Sequence, residues 1–393
     1  MKKLNLLNRR SFIRQSSALA AGTIAAGPVI SQITACTRPA SEINIRHVMA
    51  AGEEGRFMGH PANLGSWSWD DGRELLVAHS DITWAPQWSH NVGPGPSSIK
   101  LARSLDGGYS WTSEDAGFSG VDRPSQPSPG DIEYGHPDFA MIIQQIPEDL
   151  GNNQKGFFIS YDRGKRWQGP YIFNQLWEDP NLREKEDTTR TCYLVTGRNS
   201  VQYILSATNP EWEESWRRDK PFVVESNDGG KTFKFISWVV PLSNRNRAVM
   251  PSAVRTPEGN IIVAVRCRNP FDIQQSCWVD CYISRDNGRT WSFQGRVADT
   301  GLWNGSSGAL ALLEDGRLAC CYGNRNVRRM RGRVSSDSGV TWGEEIDLTD
   351  EAWEADLGYP QMIRNHKGEL VSVYYIATRE RRHSFIEAAI WKP

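Results

Sequence analysis

Five times along its 393 residues the chain writes one phrase, Ser-x-Asp-x-Gly-x-x-aromatic. The copies are SLDGGYSW at Ser104–Trp111, SYDRGKRW at Ser160–Trp167, SNDGGKTF at Ser226–Phe233, SRDNGRTW at Ser284–Trp291 and SSDSGVTW at Ser335–Trp342. Their starts lie about 50 to 65 residues apart, a period that belongs to an array of supersecondary units rather than one irregular core.

Each position in the phrase has a physical task. An Asp two residues after a Ser can turn its carboxylate back onto nearby backbone amides, and the Gly two positions later supplies the positive φ of a tight turn. The closing aromatic buries a large ring between units, with one N–H to satisfy where it is Trp. The carboxylates are therefore read as structural; five catalytic or calcium-binding aspartates are the alternative.

A second phrase opens the units: GHPANL at 59–64, GHPDFA at 135–140, VMPSAV at 249–254 and GYPQMI at 358–363. Hairpin turns flanked by apolar strands recur in DDGRELLVA, PEGNIIVAV, EDGRLACC and HKGELVSVYY. Four strands in about 60 residues make a propeller blade. Openings near residues 59, 135, 189, 249, 303 and 357 give six blades. The sixth lacks the aspartate turn, and the strand-like INIRHVMA at 43–50 is free to complete it from the other terminus. The expected fold is all-β, a six-bladed β-propeller over residues 43–393, with 176–188 and 209–220 as decorating loops.

Residues 1–35 are set apart as a leader and 36–42 as a short linker. Arg9 and Arg10 precede Phe12, Ile13 and a run of small and apolar residues, as in a twin-arginine export signal; a membrane anchor is the rival, but the run's apolar density is low. Its end, ITAC, makes Cys36 the expected lipidation residue, so the protein is placed in the periplasm or on a membrane through that anchor. Without residues 1–35, which hold two Lys, three Arg and no acids, the formal charge moves from −1 to −6. Such a chain is not built to coat nucleic acid. The other six cysteines read as buried thiols, with one disulfide as an alternative. Cys277 and Cys281 lack a Cys/His pair to complete a zinc site, so neither metal nor cofactor is expected.

The repeated octets resemble the Asp boxes of the sialidase superfamily, and the resemblance spans about 45–393. It implies a six-bladed enzyme that cleaves terminal sialic acid, with three arginines on the sugar carboxylate, a Tyr paired with a Glu as nucleophile and an Asp as acid/base. DLGYPQMIRNHKGEL resembles the nucleophile phrase and assigns that role to Tyr359. GNIIVAVR places Arg266 at the second arginine, and NVRRMRGRVSSDSG offers Arg328 or Arg329 for the third. The chain departs from the pattern elsewhere. Gly59-His60-Pro61 stands where the family has Arg-Ile-Pro, so the first arginine is absent unless Arg56 reaches in. Met250 holds the slot of the Glu, and the acid/base region contains Asp81 and His90 without a clear equivalent.

Innermost strands converge on a propeller axis, so His60, His136, Asp138, Asn304 and Tyr359 are expected there with Arg190, Arg266 and Arg268. His136 with Asp138 is the expected acid/base pair, and Arg266 with Arg328 the carboxylate clamp; the alternative has His60 and His136 merely capping strand starts. Trp84, Trp88, Trp212 and Trp216 are candidate sugar platforms in loops, whereas Trp67 and Trp69 alternate as core residues. The expected activity is that of an exo-glycosidase on a terminal, acidic sugar of a glycan. A glycan-binding propeller without turnover and a polysaccharide lyase using Tyr, His and Arg remain open.

Overall fold

The structure is a computed structural model that describes residues 43–87, 90–118, 124–145, 155–209 and 218–393. The export leader, Cys36 and the loop tryptophans Trp88, Trp212 and Trp216 lie outside the described residues.

The strands fall into six sheets. Blade 1 sets Arg56–Gly59 and Ser66–Trp69 against one long strand, Glu74–Thr83, followed by Ser98–Ser104 and Thr112–Asp115. Blade 2 holds Ala140–Gln145, Lys155–Ser160 and Gln168–Ile172, with Gln126–Pro127 added parallel at its edge. In blade 3, Glu186–Asp187 and Tyr193–Gly197 share the partner Ser200–Thr208, and Lys220–Ser226 and Lys234–Trp238 follow. Blade 4 has the longest strands, Arg247–Arg255, Ile261–Arg268, Ser276–Ser284 and Ser292–Leu302. Blade 5 consists of Gly308–Leu312, Leu318–Asn324, Arg329–Ser335 and Ile346–Asp347.

Blade 6 closes the ring. Gly358–Arg364, Leu370–Ile376 and Phe385–Trp391 come from the C-terminal end, and Arg46–Ala51 pairs antiparallel with the last of them. Mixed termini therefore complete a six-bladed propeller, as the repeat count requires. The stretch 176–188 carries a short 3₁₀ turn at Leu176–Glu178 and the edge strand of blade 3.

The aspartate turns fasten the blades as their chemistry predicts. In each, the serine hydroxyl accepts the amide N–H four residues on: Gly108 to Ser104 at 2.8 Å, Gly164 to Ser160 at 2.9 Å, Gly230 to Ser226 at 2.9 Å, Gly288 to Ser284 at 2.7 Å and Gly339 to Ser335 at 2.8 Å. The carboxylate folds back onto the turn; Asp286 accepts the Arg289 and Thr290 amides and the Thr290 hydroxyl. At Gly108, φ is +99° and an added Cβ would stand 3.0 Å from Val371 of blade 6, so the turn presses on the neighbouring blade and needs glycine twice over.

Apolar faces meet between blades, so the core is divided into wedges. Leu76 and Leu101 of blade 1 pack with Ile142 and Phe158 of blade 2, and Ile262 and Val279 of blade 4 with Leu310 and Cys320 of blade 5. All six cysteines of the described residues are buried free thiols.

Candidate active site

Three innermost strands share a local device that builds the site. His60, Met250 and Tyr359 each precede a proline and adopt positive φ, at 60°, 57° and 50°. Strand pairing breaks at the same places, between Val249 and Ser252 and between Gly358 and Gln361, and in blade 1 a helical turn at Pro61–Leu64 interrupts the strand. Left-handed backbone at a bulky residue is uncommon and costs energy, and a bulge re-aims the side chain it carries. Here the three side chains turn toward the propeller axis and meet.

Tyr359 is the hub. Arg266, from the second strand of blade 4, donates to its phenol oxygen at 3.1 Å and to the Met250 sulfur at 3.3 Å, while its other terminal nitrogen donates to Asn304. The His60 ring lies 5.3 Å from the Tyr359 ring and 4.8 Å from His90, each edge-on. Ser306 accepts the Tyr359 backbone N–H at 3.1 Å, fixing the strained residue from blade 5.

A second layer arrives from blades 5 and 6 and from the long loop of blade 1. Asp356 accepts from His90 Nδ1 at 2.9 Å, from the Asn91 amide at 3.1 Å and from the Tyr375 hydroxyl at 2.5 Å. Arg325 donates to Tyr375 at 2.9 Å and lies 3.5 Å from the Asp356 carboxylate. With Nδ1–H committed to Asp356, His90 presents Nε2 to the Tyr359 oxygen 3.5 Å away.

The electrostatics follow from this crowding. Burial alone would raise the Tyr359 phenol, but the charges of Arg266, His90, Arg325 and Arg190 outweigh it and bring it down to about 6. Burial also works against the His90 cation, yet Tyr359 and Asp356 overcome it and hold the imidazole above its ordinary value. The two shifts support each other: the charged form of each group favours the charged form of its neighbour. Burial, with His90 as an adverse neighbour, lowers His60 to about 3 and keeps it neutral. Such an arrangement can supply an activated oxygen nucleophile or base beside a proton donor that a third group orients.

The remaining arginines extend the positive field. Arg190 reaches Asn63 at 2.8 Å and the carbonyl of Thr189 at 2.8 Å. Arg268 donates to the Trp303 carbonyl at 3.1 Å; burial, then Arg247 and Arg266, lower it to about 10. Beyond Tyr359, toward the aspartate turns, the axis continues as a cavity of about 350 Å³ bounded by Met250, Pro251, Ser307, Pro360 and Gln361.

Of the residues expected at the axis, His60, Arg190, Arg266, Arg268, Asn304 and Tyr359 lie in or around this cluster. His136 and Asp138 do not. Their Gly-His-Pro phrase resembles that of His60 but belongs to a different part of its blade. Ala140, just after it, pairs with Ser160 of the second aspartate turn, which fixes the phrase at the turn end. Asp138 binds Arg163 at 2.6 Å and the His136 ring packs on Tyr161. Arg328 and Arg329 are likewise elsewhere: Arg328 faces Glu351 and the Trp353 carbonyl, and Arg329 pairs with Asp347. The arginine that blade 5 delivers is Arg325, just ahead of that basic run at the end of Leu318–Asn324. Arg56 is engaged by Asp81 at 2.6 Å. Trp84 packs against the His383 ring.

His90, Asp356, Arg325 and Tyr375 were not selected from sequence as a unit. The one signal was position: His90 lies in the segment that the resemblance marks for the acid/base. Its partner Asp356 is 266 residues away, and no spacing rule connects them.

The comparisons with known proteins agree with the architecture. The BNR repeat-like domain matches residues 139–372, more than half of the chain. No curated protein matches it in sequence. Among solved structures, a Dyadobacter fermentans protein of unknown function superposes with a TM-score of 0.65 at 18% identity, covering 88% of this chain and 99% of that one. A Penicillium chrysogenum α-L-arabinanase complexed with arabinobiose gives 0.58 at 14%, covering 88% and 97%. Trypanosoma rangeli sialidase gives 0.54 at 12%, covering 88% of this chain and 59% of that one. These superpositions establish the six-bladed, sialidase-like propeller fold, and the repeat match, which spans more than half of the chain, shows that the chain belongs to the BNR repeat-like domain family.

Proposed function

We propose that this protein is an exported carbohydrate-active enzyme that cleaves the glycosidic bond of a terminal, acidic sugar, with Tyr359 as nucleophile and His90 as acid/base. One observation carries the reading: the Tyr359 oxygen sits 3.1 Å from Arg266 and 3.5 Å from a His90 that Asp356 orients. His90 supplies what the missing Glu and Asp of the sialidase pattern would have supplied. In the first step the phenolate attacks the anomeric carbon, and the glycosidic oxygen leaves with the proton of His90. Water then gives a proton to His90 and attacks the same carbon, releasing the sugar and the Tyr359 phenolate. Arg190, Arg266 and Arg268 supply the positive field that a sugar carboxylate requires.

The short Tyr359–His90 distance favours a second reading, elimination from a uronate. There the phenolate takes the proton beside the carboxylate, the electron pair forms a carbon–carbon double bond, and the glycosidic oxygen leaves with the His90 proton. A panel of acidic oligosaccharides decides between them. A free reducing sugar without any unsaturated product supports hydrolysis, and an unsaturated, ultraviolet-absorbing product supports elimination, which also frees a reducing end. Saturable binding without product leaves a glycan-binding propeller, and a Tyr359→Phe variant as active as the wild type sinks both enzymatic readings.

We extend the proposal to export through the Arg9-Arg10 leader with acylation at Cys36. Its test is cell fractionation, in which Cys36→Ser moves the protein from the membrane to the soluble fraction.

A further inference from the structure

Beside the Tyr359 cluster, between the mouths of blades 5 and 6 and the loop of blade 1, lies a cleft of about 320 Å³. Asn304, Arg325 and Asp356 belong to both, so cleft and cluster are continuous. Its size is at the lower end of small-ligand sites and suits one sugar ring.

Trp303 forms one wall. The residue is 47% exposed and its φ is 65°, a conformation that aromatic residues rarely adopt. The backbone is pinned there from both sides: its N–H donates to the Gln275 carbonyl at 3.0 Å, and its carbonyl accepts from Arg268 at 3.1 Å. A large apolar ring is thus held in water, by a strained main chain, next to the reactive centre. Strain that the surroundings maintain in this way points to use.

The other walls are hydroxyl-reading groups. Asn304 accepts from Arg266 and Asn326 accepts from the Leu302 amide at 3.3 Å, so the group each offers a ligand is its NH₂. Gln87 adds a carboxamide and Glu354 a carboxylate, the latter steadied by Asn91 at 2.7 Å. The cleft therefore presents both donors and acceptors together with an aromatic face. Among the charged lining groups, Arg325 is set against two acids, Glu354 and Asp356, which disfavours a second anionic sugar.

We infer that this cleft is a subsite for a second, neutral sugar, the one on the leaving side of the cleaved bond, and that Trp303 is its stacking platform. The inference rests on the reading of the Tyr359 cluster as a bond-cleaving site.

The test compares wild type with Trp303→Ala on substrates that share the cleaved sugar. For each of sialic acid, glucuronate and galacturonate as the cleaved sugar, the set is an oligosaccharide with a neutral partner (3′-sialyllactose, glucuronate–xylose, galacturonate–galactose), the matching disaccharide with galacturonate as the partner, and the glycosyl fluoride of the acidic sugar. A fluoride leaving group is too small to fill the cleft, so its turnover reports an intact reactive centre and a folded variant. The expected result is a loss of tenfold or more in kcat/KM on the disaccharide with a neutral partner, and a change within twofold on the fluoride. The wild type should also prefer a neutral partner over galacturonate at least tenfold. Equal losses on disaccharide and fluoride, no loss on either, or preference for the galacturonate partner would each overturn the subsite while leaving the cleavage reading in place. Absence of wild-type turnover on every substrate would remove the cleavage reading and the subsite with it.

Discussion

Asp356 and His90 are joined through Nδ1 at 2.9 Å, and that bond decides which face of the imidazole Tyr359 meets. An acceptor on Nδ1 fixes the proton there and leaves Nε2 for the phenol. Asp356→Asn keeps the size but offers an amide in place of the charge, so the tautomer is no longer imposed. The expected loss in kcat is roughly 10³- to 10⁴-fold, as for an orienting carboxylate in a nucleophile–His–Asp arrangement. Thermal unfolding run alongside separates this from loss of the bonds to Tyr375 and Asn91.

The activity should be bell-shaped in pH. The reactive phenolate forms above about 6, because positive neighbours lower Tyr359, while the His90 proton is retained above the ordinary histidine range, because Tyr359 and Asp356 raise it. The rate therefore climbs through about pH 6 and falls on the alkaline side as His90 loses its proton. A kcat/KM profile that rises only near pH 10 would contradict an activated Tyr359.

Arg266→Met removes the cation closest to the phenol while keeping bulk. Two effects should appear together: kcat/KM falls about 10²- to 10³-fold, and the Tyr359 titration moves up toward the ordinary phenol value of about 10. Ultraviolet difference titration, with Tyr359→Phe as the blank, reads the second effect without any substrate.

His136→Ala and Asp138→Asn should leave kcat/KM within about twofold of wild type, since neither contacts the axis cluster. Asp138→Asn should cost at most about 1 kcal/mol in chemical denaturation. Its partner Arg163 is part-exposed and keeps Asp70 at 2.6 Å and Glu74 at 2.7 Å. A large, selective loss of activity would return these two residues to the reaction.

Ser284→Ala tests the turn chemistry. The hydroxyl is buried, accepts from Gly288 at 2.7 Å and donates to Asp286 at 2.8 Å. Its removal leaves a buried N–H without its acceptor, which costs about 1–3 kcal/mol. Denaturant unfolding should show that loss, with the pH profile of activity unchanged.

The propeller was legible because its signals are local. A serine, an aspartate and a glycine within one turn satisfy one another over a few residues, and five recurrences with alternating apolar strands between them leave little but six blades with a shared closing sheet. Tyr359 and Arg266 were legible for the same reason, each lying inside a contiguous phrase. The partners of Tyr359 were decided by the ring. Arg325 and Arg328 are three residues apart in one basic stretch, and only the end of Leu318–Asn324 determines that the first meets Asp356 while the second faces Glu351. His60 and His136 sit in the same Gly-His-Pro phrase, yet pairing register sends one to the axis and the other to an aspartate turn. Short-range hydrogen bonding writes the blade into the chain. Which charges share a buried space depends on closure of the ring, which sets His90 against Asp356 across 266 positions of sequence.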